Sequence, residues 1–264
     1  MLKTLLHVNE DLASSIALRY TAYLHKFVPL SLYISHVEIA DKKEQVGTGW
    51  VRHTWEDGVA SNGKRLIERM LRTENIDCPL AGRPTVFVGD KDKEVAYELR
   101  NGLYDLFIEG CPNSLDPDQF HELISSPLYK AAPCPMLVVK NLSINKKCAF
   151  LCADSVEAKV LVEKSMAILA DSTFDFDLVH FKINENEELV TLANEDGGGC
   201  LPEAEALLTR YGKSVDKALV LSGTAEQAGD YLKEYALVIS ILPTGKGLPM
   251  DILAHCPASI LMVH

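Results

Sequence analysis

An internal duplication does most to limit what this chain can fold into. The stretch Pro133-Cys134-Pro135-Met136-Leu137-Val138-Val139-Lys140 returns as Cys256-Pro257-Ala258-Ser259-Ile260-Leu261-Met262-Val263-His264, each a Cys-Pro step followed by an apolar run. Upstream, Tyr104-Asp105-Leu106-Phe107-Ile108 is matched by Tyr235-Ala236-Leu237-Val238-Ile239, and Val86-Phe87-Val88-Gly89 by Val220-Leu221-Ser222-Gly223. The three matches keep their order and approximate spacing at a separation near half the chain. A repeat this long is a whole folding unit rather than a solenoid module. Two domains are therefore expected within the 264 residues, 1–141 and 145–264, joined by a linker at Asn141 to Asn145.

Each half alternates short apolar runs with helical patterns. In the first, strands are expected at Leu5 to Val8, Leu30 to Ile39, Pro84 to Val88, Asp105 to Ile108 and Met136 to Val139. Between them fall helices at Ala13 to Phe27, from Thr54 through Leu71, at Lys93 to Asn101, and from about Pro117 to Ala131. Thr54, with Asp57 three residues on, reads as a helix cap, after a polar loop from Asp41 to Val51. The second half repeats the plan with strands at Ala149 to Cys152, Asp177 to Ile183, Ala218 to Leu221, Leu237 to Ile241 and Ser259 to Val263. Its helices are Val156 to Ala170, Pro202 to Tyr211 and Ala225 to Glu234, and the last crossover is cut to about a turn around Met250 to Ala254. Nearly pure apolar strands alternating with helices specify an α/β fold, a parallel sheet covered on both faces in each domain.

Composition narrows the function. A 47% hydrophobic and 24% charged composition is that of a globular protein, and the formal net charge of −11, with no clustered Lys or Arg to offset it, opposes nucleic acid and anionic lipid. The apolar start at Met1 to Val8 is broken by His7 and followed by Glu10 and Asp11, so it reads as neither a signal segment nor a membrane span. Seven cysteines without regular spacing point to a reducing, cytoplasmic setting. Cys148 and Cys152 read as buried thiols rather than metal ligands, because structural zinc needs four convergent donors. His36 and His180, at equivalent strand ends, read as packed structural histidines. Ser125-Ser126 before Pro127 reads as a kink, Gly197-Gly198-Gly199 as a loop and Gly245-Lys246-Gly247 as a turn. No nucleophile elbow, zinc-protease motif or spaced carboxylate pair gives a reason to propose catalysis.

Taken in order, several of these stretches resemble the universal stress protein family in its tandem form. They are Ile34-Ser35-His36-Val37, Val179-His180-Phe181, Val88-Gly89 before a helix, Asp105 to Gly110, and Ala132 to Val139. The resemblance implies two Rossmann-like (adenine nucleotide alpha hydrolase-like) domains with a five-stranded parallel sheet each. In part of the family it also implies an ATP site, with an Asp after the first strand and a Gly-x-x-Gly-x9-Gly-Ser/Thr loop after the fourth. Carried over, the first-half site comprises Asn9 at the Asp position, or Glu10 if the register slips by one, with Val37, Val88, Gly89, Gly110 at the first glycine and Asn113 at the second. Glu122 and Leu123 replace the Gly-Ser/Thr pair, and Asp116, Asp118 and Glu122 would repel phosphates. In the second half the Asp position falls on Ala153, with Asp154 adjacent, and the leading glycine of the loop is missing.

Two expectations follow. The first is a non-catalytic stress-response protein, without metal or firm cofactor, that acts through a small-molecule ligand or protein partner. The second is an adenine-nucleotide switch with slow ATP hydrolysis in the first half. The halves are expected to pack as an intramolecular pseudo-dimer, through the edges Met136 to Val139 and Ile260 to Val263, and the chain can also form a homodimer.

Overall fold

The computed structural model describes residues 1–38, 50–74, 76–111, 117–143, 145–154, 156–184, 188–192 and 199–264, with 50–54 and 56 as backbone. The first half runs β1 Leu2–His7, α1 Leu12–His25, β2 Leu30–Glu38, α2 Trp50–Glu74, β3 Thr85–Val88, α3 Lys91–Gly102, β4 Leu106–Gly110, α4 Pro117–Ile124, α5 Pro127–Ala131 and β5 Met136–Val139. The second runs β6 Lys147–Cys152, α6 Ala158–Leu169, β7 Asp175–Ile183, β8 Val190–Leu192, α7 Cys200–Arg210, β9 Val215–Gly223, α8 Ala225–Tyr231, β10 Leu237–Ile241, α9 Leu248–His255 and β11 Ser259–Val263.

All these strands form one 11-stranded sheet in the order β3-β2-β1-β4-β5-β11-β10-β6-β7-β9-β8. Every neighbouring pair is parallel except β5–β11 and β8–β9. Each half thus contributes a five-stranded parallel sheet with its first strand in the middle, and β8 adds a short antiparallel edge that the sequence pattern did not disclose. Burial on both faces explains the almost purely apolar strands. On one face Ala17 and Leu18 of α1, Ile67 of α2, Leu161 of α6 and Ala204 of α7 are buried; on the other, Val95 of α3, Phe120 of α4, Leu128 of α5, Ala228 of α8 and Leu253 of α9. Among the described residues no helix is long and apolar enough to cross a membrane.

Register makes the duplication concrete. Thr4 stands opposite Leu106 as Cys148 stands opposite Leu237, and His36 opposite Val86 as His180 stands opposite Val220. The matched segments Val86 to Gly89 and Tyr104 to Ile108 therefore occupy the places of their counterparts. The Cys-Pro match is shifted. Phe107 pairs with Met136 and Val238 with Ile260, so Met136 is equivalent to Ile260 and Pro133, not Pro135, to Pro257. Pro133 precedes β5 by three residues and Pro257 precedes β11 by two.

At the seam, β5 and β11 pair as Met136↔Met262, Leu137↔Leu261 and Val138↔Ile260. The operation that carries Met136 onto Ile260 carries the first of these pairs onto the last and leaves Leu137–Leu261 in place. The halves are therefore related by a pseudo-twofold axis through that central pair, the isologous geometry of a dimer within one chain. Lys140, just past β5, reaches across the seam. Its buried Nζ donates to the carbonyls of Leu253 at 2.7 Å and Cys256 at 2.9 Å, where α9 leaves its last acceptors open.

Local chemistry sets the boundaries. Asp11 caps α1 by accepting from the Ser14 N–H at 2.7 Å, Asp90 caps α3 through Lys93, and Thr224 with Gln227 forms a capping box on α8. Ser126 caps α5, whose first residue is Pro127, so Ser125-Ser126 marks a break between two helices. Two expectations are corrected. The helix expected from Thr54 already includes Trp50, which puts Thr54 in its interior; residues 41–49 of the expected loop lie outside the described residues. The last crossover helix is Leu248–His255, about two turns, because Pro249 in the first turn and the preceding Gly247 at φ +157 start it earlier than Met250.

Candidate functional site

Ligands of open α/β sheets bind beyond the carboxyl ends of the strands. In the first half that rim is built from the ends of β1, β2, β3 and β4. Asn9 follows β1, and its N–H donates to Ser14 Oγ at 2.7 Å, tying the rim to the first turn of α1. Val37 is buried on β2 opposite Phe87, and Val88 ends β3 opposite Glu38. The Gly89 N–H donates to the Glu38 carbonyl at 3.0 Å. Gly110 ends β4 opposite Val139. Asn113 and Asp116 lie outside the described residues.

The two glycines are held for different reasons. A Cβ on Gly110 would fall 2.2 Å from the Ala13 carbonyl oxygen and 2.4 Å from its carbon, so glycine here lets β4 and the start of α1 touch backbone to backbone. A Cβ on Gly89 would meet only the movable Glu94 side chain, with its Oε1 at 2.9 Å. The close approach at Gly110 is taken up by the protein itself.

Beside Gly110 stands a buried polar network that the sequence reading did not single out. Glu109 is 3% exposed in an otherwise apolar strand and sits directly opposite His7 on β1. Lys91, the first residue of α3, donates to Glu109 Oε2 at 2.6 Å, and the buried Tyr129 hydroxyl of α5 donates to Oε1. Burial alone would raise the Glu109 carboxyl, but the Lys91 ammonium and the two donated hydrogen bonds hold it below the usual carboxylate range. Tyr129 is pushed well above the phenol range by burial and by the adjacent carboxylate.

His7 completes the cluster, with Nδ1 3.4 Å from Ser35 Oγ. Burial, reinforced by the charge of Lys91 and opposed by Glu109, lowers it from 6.5 to about 4. The unfolded chain therefore takes up this proton first. The contribution to stability is complete above about pH 6.5 and is lost as pH falls toward 4, which by linkage amounts to roughly 2 kcal/mol at pH 5. Urea unfolding at pH 7.5 and pH 5 is expected to show this loss, and His7→Asn to reduce it. The titratable groups facing His7 are Lys91, Glu109 and His36, beside the side chains of Asn9 and Ser35.

Grooves flank the rim, two of them above 500 Å³. One, about 580 Å³, is lined by Gly89, Lys91, Lys93, Arg100, Asp90 and Asp92 among others. The second, about 540 Å³, lies along α2 and is lined by Arg65, Arg69, Arg72 and Glu10, with Arg69 paired to Glu10. Of the carried-over residues Gly89 lines the first; Asn9, Val37, Val88 and Gly110 line neither. Glu122 and Leu123 lie within α4. Asp118, at the start of that helix, has Lys246 of the second half 3.6 Å away, an exposed pair across the seam worth little in stability.

The second-half rim differs. Ser240 takes the place of Glu109, with its hydroxyl bonded to the Ile241 carbonyl. His180 at the end of β7 is fully buried and His36, its counterpart, nearly so; His36 Nδ1 lies 2.7 Å from the Val8 carbonyl. Gly245 has open space around it and Gly247 caps α9.

No family model and no curated protein matches the sequence. Solved structures do match. A universal stress protein from Archaeoglobus fulgidus DSM 4304 superposes with a TM-score of 0.69 at 12% identity, covering 99% of this chain and 97% of its own. A putative universal stress protein from Pseudomonas aeruginosa UCBPP-PA14 gives 0.58 at 13%, covering 99% and 93%. A functionally unknown protein from Pseudomonas aeruginosa PAO1 gives the same score and identity, covering 99% and 92%. With the strand order and the twofold seam, these likenesses establish that the chain has the fold of a tandem universal stress protein, two Rossmann-like halves in one continuous sheet.

Proposed function

We propose that the chain is a non-catalytic tandem universal stress protein that acts by binding a ligand or a protein partner, with the nucleotide site degenerate in both halves. The observation that carries this reading is the buried Lys91–Glu109–Tyr129 network beside a Gly110 already packed on Ala13. A triphosphate brought to this rim would meet the Glu109 carboxylate in a poorly solvated setting and would find the backbone of Gly110 occupied. The second half offers Ala153 where a charged ribose partner is needed, which forgoes about 1.5–3 kcal/mol of charge-assisted hydrogen bonding.

An adenine-nucleotide switch in the first half is the second reading. The Gly89 groove favours it, because Lys91, Lys93 and Arg100 bring cations to that side of the rim. Mass spectrometry of the small molecules released when the purified protein is denatured separates the two. The expected result is no stoichiometric adenine nucleotide; ATP or AMP at about one per chain would favour the switch.

A further inference from the structure

The second half contains a thiol arrangement that its proposed binding role does not use. Of the seven cysteines, six are buried and Cys200 alone is partly exposed. Cys200 is the first residue of α7, where the helix N-terminus favours a negative sulfur. Cys200 packs against the core cluster that contains Cys152, the last residue of β6, and its thiol is electrostatically coupled to the Cys152 thiol and to the imidazole of His180. His180 is placed there by register, directly opposite Cys152 in the β6–β7 pair. It is fully buried, and neither ring nitrogen has a partner in good hydrogen-bond geometry, although Asp154 Oδ1 lies 3.4 Å from Nε2. A fully buried imidazole left without such a partner is costly as mere packing. Among the described residues no group of three ligands suited to a metal ion exists, so the cluster is not read as a metal centre.

We propose that Cys200 and Cys152 are a hydroperoxide-reactive thiol pair, with Cys200 the nucleophile, Cys152 the resolving thiol and His180 the positioning residue. The coupling to Cys152, with the contribution of His180 and despite partial burial, brings Cys200 well below the thiol range, while Cys152 is held well above it. At neutral pH one sulfur is thus a thiolate and the other a protonated thiol. The Cys200 thiolate attacks one oxygen of the hydroperoxide; an S–O bond forms, the O–O bond breaks, and the departing oxygen leaves as water or alcohol after taking a proton. Cys200 is oxidised by two electrons to the sulfenic acid and the hydroperoxide is reduced. Cys152 then attacks the Cys200 sulfur. The S–S bond forms, the S–O bond breaks, and hydroxide leaves as water with the proton from Cys152. The sum is two thiols and one hydroperoxide converted to one disulfide, one alcohol or water, and one water.

The test uses the full chain, reduced and then exposed to equimolar hydrogen peroxide at pH 7, followed by alkylation in denaturant and peptide mass spectrometry. The expected outcome is loss of two alkylatable thiols and a Cys152–Cys200 linked peptide. Cys152→Ala should stop at a Cys200 sulfenic acid trapped by dimedone, and Cys200→Ser should leave the remaining thiols reduced. A second measurement does not depend on these variants folding: the rate of iodoacetamide reaction at Cys200 in the native wild-type protein as a function of pH. A midpoint well below the ordinary thiol value is expected, and His180→Asn should move it upward and slow the reaction at pH 6. A midpoint at the ordinary thiol value, a profile unchanged in His180→Asn, or peroxide consumption spread evenly over Cys78 and the other cysteines would overturn the proposal.

Discussion

Lys91→Met is expected to destabilise the protein by roughly 3 kcal/mol, because it leaves the Glu109 carboxylate buried without its cation. The value sits at the low end of the range for broken buried pairs because the Lys91 side chain is 32% exposed and water screens part of the interaction. Relieving the charge should restore part of the loss. The double variant Lys91→Met with Glu109→Leu is expected to be more stable than Lys91→Met, since a buried pair replaced by apolar groups of similar size is often neutral, but to stay below wild type because the buried Tyr129 hydroxyl loses its acceptor; adding Tyr129→Phe should recover most of the remainder. Urea denaturation of the two single variants and the double variant measures the coupling. Equal, additive losses would mean that Lys91 and Glu109 do not act as a pair in the folded protein.

The other large effect is expected at Gly110. A methyl group there meets backbone, the carbonyl of Ala13, rather than a side chain that can turn away. Gly110→Ala must therefore push β4 from α1, and we expect a cost of about 3 kcal/mol. Gly89→Ala is the control. Its Cβ would displace only the Glu94 carboxylate, so the loss should stay below about 1 kcal/mol. A cheap Gly110→Ala would show that the space beside Ala13 is available after all, and with it a backbone approach for a phosphate.

Much of the fold was legible because double-sided burial leaves an unmistakable record in the strands. The runs Met136–Val139, Leu237–Ile241 and Ser259–Val263 appear in the structure with the ends expected from their apolar character. The β8 strand left no such record: Val190 and Thr191 are exposed on a three-residue edge, and pairing with β9 alone defines it. The Cys-Pro repeat was a real signal read two residues out of register, since the cysteines are not equivalent and only the prolines before the strands are. The start of α2 was misjudged because Thr54 and Asp57 have the composition of a cap while the helix has already begun at Trp50.

The site was less legible for a physical reason. Lys91, Glu109 and Tyr129 come from three elements, and only the folded chain brings them within hydrogen-bonding distance. The available clue was Glu109 itself, a charge inside Leu106-Phe107-Ile108-Glu109-Gly110, where burial demands a partner. The same holds in the second half. Cys152 reads correctly as a buried thiol, but Cys200 comes after the run Gly197-Gly198-Gly199, of which 197 and 198 lie outside the described residues, and its proximity depends on how α7 docks against the sheet.

The central claim is that the rim of the first half has been closed to triphosphates by its own side chains and backbone. Isothermal titration of the full chain with Mg-ATP tests it most directly. We expect no saturable heat at millimolar nucleotide in the wild-type protein; micromolar binding of about one ATP per chain, weakened when Asn9 is replaced by Ala, would contradict it.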